Sequence, residues 1–204
     1  MAKIGLITFS GIDGSGKTTQ LNMLKQLLQD LNYNIYPQST IYSYPWELSK
    51  SIYPYGLSLY EHINEIVFSS AMDNLKKLLT IKSLQTEDLA LLFDRYYLCW
   101  LVFAKIRGAE NLDLLIDIYK YMPKPDINFH MMLSPREALL RLNIRGTSND
   151  LKENDSFLTK ANNIYSTMIN DYYENTVVID ASLSIDEIHL IIKEHLRERK
   201  GMNI

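Results

Sequence analysis

The chain has 204 residues, 47% of them hydrophobic and 22% charged, which is enough apolar material to bury one sizeable core as a single domain. A formal net charge of −3 disfavours a strong non-specific nucleic-acid binder, and no apolar run approaches the roughly 18 residues that a membrane-spanning helix needs. Cys99 is the only cysteine, so neither an intrachain disulfide nor a cysteine-based metal cluster can form within one chain, and with no signal segment ahead of residue 4 the expected location is cytoplasmic.

In chain order, an apolar run over residues 4–9 reads as a first strand and breaks at Gly11. Gly11, four further residues and then Gly16-Lys17-Thr18 have the spacing of a phosphate-binding loop opening a helix. Leu21, Leu24, Leu27, Leu28 and Leu31 form one stripe, so residues 17–31 read as the first helix. Residues 33–40 are a weak second strand because Pro37 interrupts them. A short helical piece lies among Pro45, Pro54 and Gly56, and residues 59–79 carry a long helical pattern. Residues 89–93 are continuously apolar, as a central parallel strand should be. Helical patterns at 97–106 and 112–121 precede Pro123 and Pro125, which introduce a strand at 127–133. Ser134-Pro135-Arg136-Glu137 is a helix start, with Gly146 as its stop. The polar stretch 147–155 reads as a mobile lid within a region of about 146–155. A helix at 156–173, a strand at 177–179 and a closing helix from Ser184 to about residue 199 complete the chain. Strands alternating with helices predict an α/β fold: a mostly parallel five-stranded sheet flanked by helices in three layers, over residues 1–204.

The loop residues define the first candidate site. Backbone amides of Gly11, Asp13, Gly14, Ser15, Gly16, Lys17, Thr18 and Thr19 can curl around an anion, Lys17 can reach β- and γ-phosphates, and the Thr18 hydroxyl can ligate Mg²⁺. Asp94 ends a buried strand, the sheet edge where ligands collect, and can hold the metal directly or through water or steer the phosphoryl acceptor, with Arg95 clamping a phosphate. The competing reading makes Asp94 a cap for a helix starting at Arg95. Asp13 either faces a substrate or is a solvated loop residue. Arg141 and Arg145, four apart on one helix face, can point at transferring phosphates, whereas Arg136 reads mainly as a surface residue and Lys152 is a lid candidate.

Taken jointly, TFSGIDGSGKTTQL, LLFDRY, PKPDINFHMMLSPREALLRLNIRG, DLKENDSF and VVIDASLSIDEI resemble the thymidylate kinase family of P-loop nucleoside-monophosphate kinases over essentially the whole chain. The resemblance implies a homodimeric, Mg²⁺-dependent enzyme that moves the γ-phosphoryl group of ATP to dTMP. It further implies that Asp13 faces the acceptor sugar 3′-hydroxyl, Arg95 the acceptor phosphate, and that Ala181 lies beside the adenine.

The acceptor side departs from the family pattern. The segment after the second strand reads QSTIYSYP, with neither the arginine nor the glutamate of relatives; a base-contacting arginine falls near Met72; the Tyr-Gln pair expected after DRY appears as Phe103-Ala104; and the lid arginine falls on Leu151. A methionine cannot donate to a base carbonyl. The acceptor pocket would then be lined by Phe68, Met72, Trp100 and Phe103, with Tyr42, Tyr44 and Trp46 nearby. Beside dTMP or a related monophosphate, a different small phosphorylated or hydroxyl acceptor and a non-catalytic ATP-binding module stay open.

Overall fold

The computed structural model describes residues 5–39, 63–83, 89–146, 154–172 and 174–200. Five parallel strands form one sheet in the order β2-β3-β1-β4-β5, where β1 is Leu6–Ser10, β2 Asn34–Ser39, β3 Leu89–Asp94, β4 Ile127–Met132 and β5 Thr176–Asp180. β1 is buried along its whole length because it lies between β3 and β4 and has helices on both faces. Pro37 is tolerated because β2 is an edge strand, pairing with β3 alone from Asn34 opposite Leu89 to Ser39 opposite Asp94. This weak prediction proved a full six-residue strand.

Among the described residues the helices are α1 (Lys17–Asp30), α2 (Ile63–Ser83), α3 (Tyr97–Ile106), α4 (Leu112–Tyr119), α5 (Pro135–Arg145), α6 (Asp155–Tyr172) and α7 (Ile185–Lys200). α1 buries Leu21, Leu24 and Leu28 of the predicted stripe. α5 starts as its sequence dictates, with the Ser134 hydroxyl accepting the Glu137 amide at 3.2 Å and Pro135 at the first helical position; it stops at Gly146, whose φ of 75° is left-handed. α7 carries a reciprocal box in which the Glu187 amide donates to Ser184 Oγ at 3.3 Å and the Ser184 amide to Glu187 Oε2 at 2.9 Å. Element ends otherwise move by one to two residues from the expected bounds, as at α4, which closes at Tyr119, except at α2, which runs to Ser83, four residues past its expected end. The helical piece near Pro45 to Gly56, Tyr42, Tyr44, Trp46, Leu151, Lys152 and nearly all of the expected lid lie outside the described residues. No described helix is long and apolar enough to cross a membrane.

One part of the core is not apolar. Alternation along β1 and β4 places Thr8, Ser10, Asn128 and His130 on a common face, all at most 6% exposed. Thr8 Oγ1 donates to Asn128 Oδ1 at 2.9 Å, Asn128 Nδ2 donates to Ser10 Oγ at 3.0 Å, and Ser10 Oγ bonds His130 Nδ1 at 3.0 Å. The chain of bonds satisfies groups that would otherwise be expensive to bury. Burial, with Lys17 adding to it, lowers the His130 pKa from 6.5 to about 4. The unfolded chain therefore takes up this proton first, and stability is lost as pH falls through the window from 6.5 to about 4. Urea denaturation at pH 7 and pH 5 should show wild type losing about 2 kcal/mol relative to His130→Phe, which carries no titrating ring. Equal losses in the two proteins would contradict the assignment.

Candidate active site

Parallel pairing carries the C-terminal ends of all five strands to one edge, and the loops above β1, β3, β4 and β5 gather there. Between them lies a cavity of about 510 Å³, within the range of small-molecule sites. Its walls are the loop and first turn of α1 (Asp13 to Gln20), Asp94 and Arg95 at the end of β3, Met131 of β4, Arg141, Leu142 and Arg145 of α5, and Leu183, Ser184, Ile185 and Ile188 leading into α7. Of the predicted cluster, Asp13, Gly14, Ser15, Gly16, Lys17, Thr18, Thr19, Asp94, Arg95, Arg141 and Arg145 are thereby brought together.

The loop's shape follows from its glycines. Gly16 has φ 88° and caps α1 in the left-handed region, so the first amides of the helix open toward the cavity. Gly11 has φ 132°, and a Cβ there would stand 2.5 Å from the Met131 carbonyl oxygen, so the loop presses against β4. Lys17 is folded back on the loop: Nζ donates to the Ile12 carbonyl at 2.7 Å and to Ser15 Oγ at 3.4 Å, and the side chain is 5% exposed. Burial, together with the Arg95 charge, lowers its pKa from 10.5 to about 8, with Asp13 and Asp94 opposing. Lys17 therefore stays charged at neutral pH in a setting that favours an incoming anion.

Asp94 is no helix cap. α3 starts two residues beyond Arg95, with Tyr96 at its cap position and no side-chain cap bond. The Asp94 carboxylate instead accepts the Thr18 hydroxyl through Oδ2, and its buried Oδ1 has no hydrogen-bond partner among the described residues. Arg95 holds a left-handed φ of 76°, an uncommon conformation for a long side chain and one that clusters at functional sites. Its amide is anchored to the Phe9 carbonyl at 2.9 Å, and its guanidinium pairs with Asp13, bridging the loop to β3. Arg141 pairs with Glu137 at 2.8 Å on the rim of the cavity, Arg145 stands exposed one turn on, and Arg136 lies away from the lining set.

Other expected residues lie elsewhere. Ala181 is fully buried and its amide donates to the Met132 carbonyl at 2.8 Å, so the wall after β5 is made by Leu183 to Ile188. Phe68 packs half-buried against the core and Met72 is 55% exposed on α2. Trp100 packs between Tyr96 and Tyr119, and Phe103 meets Phe157 edge-on with the Arg107 guanidinium 4.4 Å above its ring. None of these four lines the cavity. Two buried groups near it went unforeseen: Tyr165 of α6, hydrogen-bonded to Cys99 and beside Arg95, and Gln20, whose Nε2 donates to the Ile185 carbonyl at 2.8 Å and ties α1 to the start of α7. Burial and Cys99 push the Tyr165 phenol well above its usual range, with Arg95 opposing and Asp13 adding to the rise.

The Gly11 geometry makes a direct prediction. Gly11→Ala combines strain at a positive φ with overlap of a backbone oxygen, so urea denaturation should show a loss of about 1–3 kcal/mol. Unchanged stability would mean that the loop does not depend on its approach to β4.

Comparison with known proteins points the same way. The thymidylate kinase family model matches residues 9–192. A thymidylate kinase of Prosthecochloris aestuarii is 30% identical over 216 residues, covering 96% of this chain and 94% of that protein; a probable thymidylate kinase of Pyrococcus horikoshii is 26% identical, covering 90% and 91%. Among solved structures, Candida albicans thymidylate kinase superposes with a TM-score of 0.76 at 18% identity over 98% of this chain and 94% of that one. Deoxyadenosine kinase from M. mycoides superposes at 0.67 and 21% over 95% and 99%, and both structures share the fold. The chain belongs to the thymidylate kinase family and is an ATP-dependent nucleoside-monophosphate kinase of that type.

Proposed function

We propose that the protein transfers the γ-phosphoryl group of ATP to the 5′-phosphate of dTMP or a closely related nucleoside monophosphate. The observation that carries this reading is the convergence of Lys17, the Thr18–Asp94 pair, and Arg141 with Arg145 on one cavity. Mg²⁺ fits the donor set: Thr18 and Asp94 would hold it, directly or through water, and the unpartnered Asp94 Oδ1 supplies an anionic oxygen. When bound, it would supply positive charge that neutralises the charge developing on the transferred phosphoryl group.

The chain's own residues act by position and charge. Lys17 and the loop amides hold the donor triphosphate, and the Leu183 to Ile188 wall offers an apolar slot for its base. Arg95, steadied by Asp13, clamps the acceptor phosphate, while Arg141 and Arg145 stabilise charge on the transferred group. No strong general base is required, because an acceptor phosphate is already ionised at neutral pH. The family resemblance carries a homodimer with it, which sedimentation velocity reads directly.

A different acceptor is favoured by one observation. Where the resemblance implies a base-contacting arginine, this chain has Met72, which has no donor for a base carbonyl. Each missing buried hydrogen bond lowers discrimination by about 1–3 kcal/mol, so dTMP would be used with weak preference over other monophosphates.

An ADP-release assay over deoxynucleoside and nucleoside monophosphates, with products identified by mass, separates the two. Clean selectivity for dTMP supports the first reading; broad use, or selectivity for another acceptor, supports the second. Under either, Lys17→Ala should lower turnover at least ~100-fold while leaving the circular dichroism spectrum intact. Full turnover by that variant would overturn the mechanism.

A further inference from the structure

The buried polar chain between β1 and β4 ends beside the site, and nothing in the phosphoryl-transfer reading uses it. An apolar strand pair would fill the same space without the need to satisfy every polar group. Its last member, His130, has two distinct neighbours. Through Nδ1 it bonds Ser10 Oγ at 3.0 Å, and Ser10 leads directly into Gly11, where the phosphate loop presses on the carbonyl of Met131, the residue after His130. The His130 ring also packs on Tyr165 at 5.2 Å between centroids and 50° between planes, and Tyr165 bonds Cys99 and stands beside Arg95. One side chain thus bonds the residue that enters the donor loop and packs on a ring that feels the charges of the Arg95–Asp13 pair.

We propose that His130 is a positioning residue with two separable arms: its bond to Ser10 sets the phosphate loop for ATP, and its ring braces Tyr165 so that Arg95 meets the acceptor phosphate. A neutral imidazole suits this place, since Lys17 and Arg95 already bring two cations and a third would oppose both; Asp13 and Asp94 are the carboxylates on the other side of that balance. The proposal rests on the kinase reading above for its acceptor arm, whereas the donor arm requires only nucleotide binding.

Two substitutions divide the arms. His130→Phe keeps a ring against Tyr165 and loses the Ser10 bond; His130→Asn places an amide where Nδ1 was, keeping that bond, and loses the ring. Loss of one buried hydrogen bond should weaken Mg·ATP binding about fivefold to tenfold in His130→Phe, read by calorimetry without any acceptor, with the acceptor KM within about twofold of wild type. His130→Asn should reverse this, with a similar rise in the KM for dTMP, or for whichever monophosphate the wild-type enzyme turns over, and Mg·ATP affinity nearly unchanged. Ser10→Ala removes this bond from the other strand together with the one Ser10 Oγ accepts from Asn128 Nδ2, so it should weaken Mg·ATP binding at least as much as His130→Phe, and the double variant should add nothing to Ser10→Ala; it also serves if a His130 variant fails to fold. The proposal is overturned if the folded variants shift only the melting temperature, if both His130 variants raise the same constant, or if Ser10→Ala binds Mg·ATP as wild type does. Failure of every monophosphate as an acceptor would overturn the kinase reading and the acceptor arm with it, while the donor arm would still be decided by calorimetry.

Discussion

A lysine ammonium held almost out of water is the constraint around which this molecule is arranged. Lys17 has two neutral acceptors, the Ile12 carbonyl and the Ser15 hydroxyl, and no carboxylate bonded to it among the described residues. Burying a cation on such terms is unfavourable unless an anion arrives to complete it. The buried β1 strand, the left-handed glycines at 11 and 16, and the start of α1 place that charge among backbone amides at the edge of the sheet. Phosphate binding is thus a property of the backbone path, with the lysine as its focus.

The second organising feature is the pair Asp94 and Arg95. Adjacent residues would point in opposite directions from a continuing strand, yet both line the cavity. The left-handed conformation at Arg95 makes this possible, and the bond from its amide to Phe9, together with the Asp13 ion pair, holds it there. The carboxylate accordingly turns to Thr18 while the guanidinium turns to Asp13. A strained residue supported by two separate strands and a loop is the arrangement expected where geometry, more than stability, is under selection.

Residues close in sequence were legible, and those that meet only through strand register were not. Gly11, Gly16, Lys17 and Thr18 are set by local spacing, and Ser134-Pro135 and Gly146 announced the ends of α5. Arg141 and Arg145 could be placed on one face by helical periodicity alone. By contrast, Ser10 and His130 are 120 positions apart, and their bond depends on the register that sets Ser10 opposite His130. Within the strand pattern of 127–133, Asn128 and His130 carry no local signal of a partner. The same applies to Tyr165, whose approach to Cys99 and Arg95 depends on how α6 packs. Local propensity left Asp94 with two readings, and only the distance from Thr18 in space decides between them.

If the site is built around Lys17, then anion binding must be linked to its proton. In the free protein this lysine loses its proton near pH 8, and a bound triphosphate must raise that value. Below about 8 the affinity should be flat; above it, binding takes up a proton and should weaken by up to about tenfold per pH unit. Calorimetric titration with Mg·ATP from about pH 7 to about 9.5, in buffers of different ionisation enthalpy, measures both affinity and proton uptake. The account predicts weakening with net uptake above about pH 8 in the wild-type protein and the disappearance of both in Lys17→Met. A constant affinity across that range, or an identical pH dependence in Lys17→Met, would contradict it.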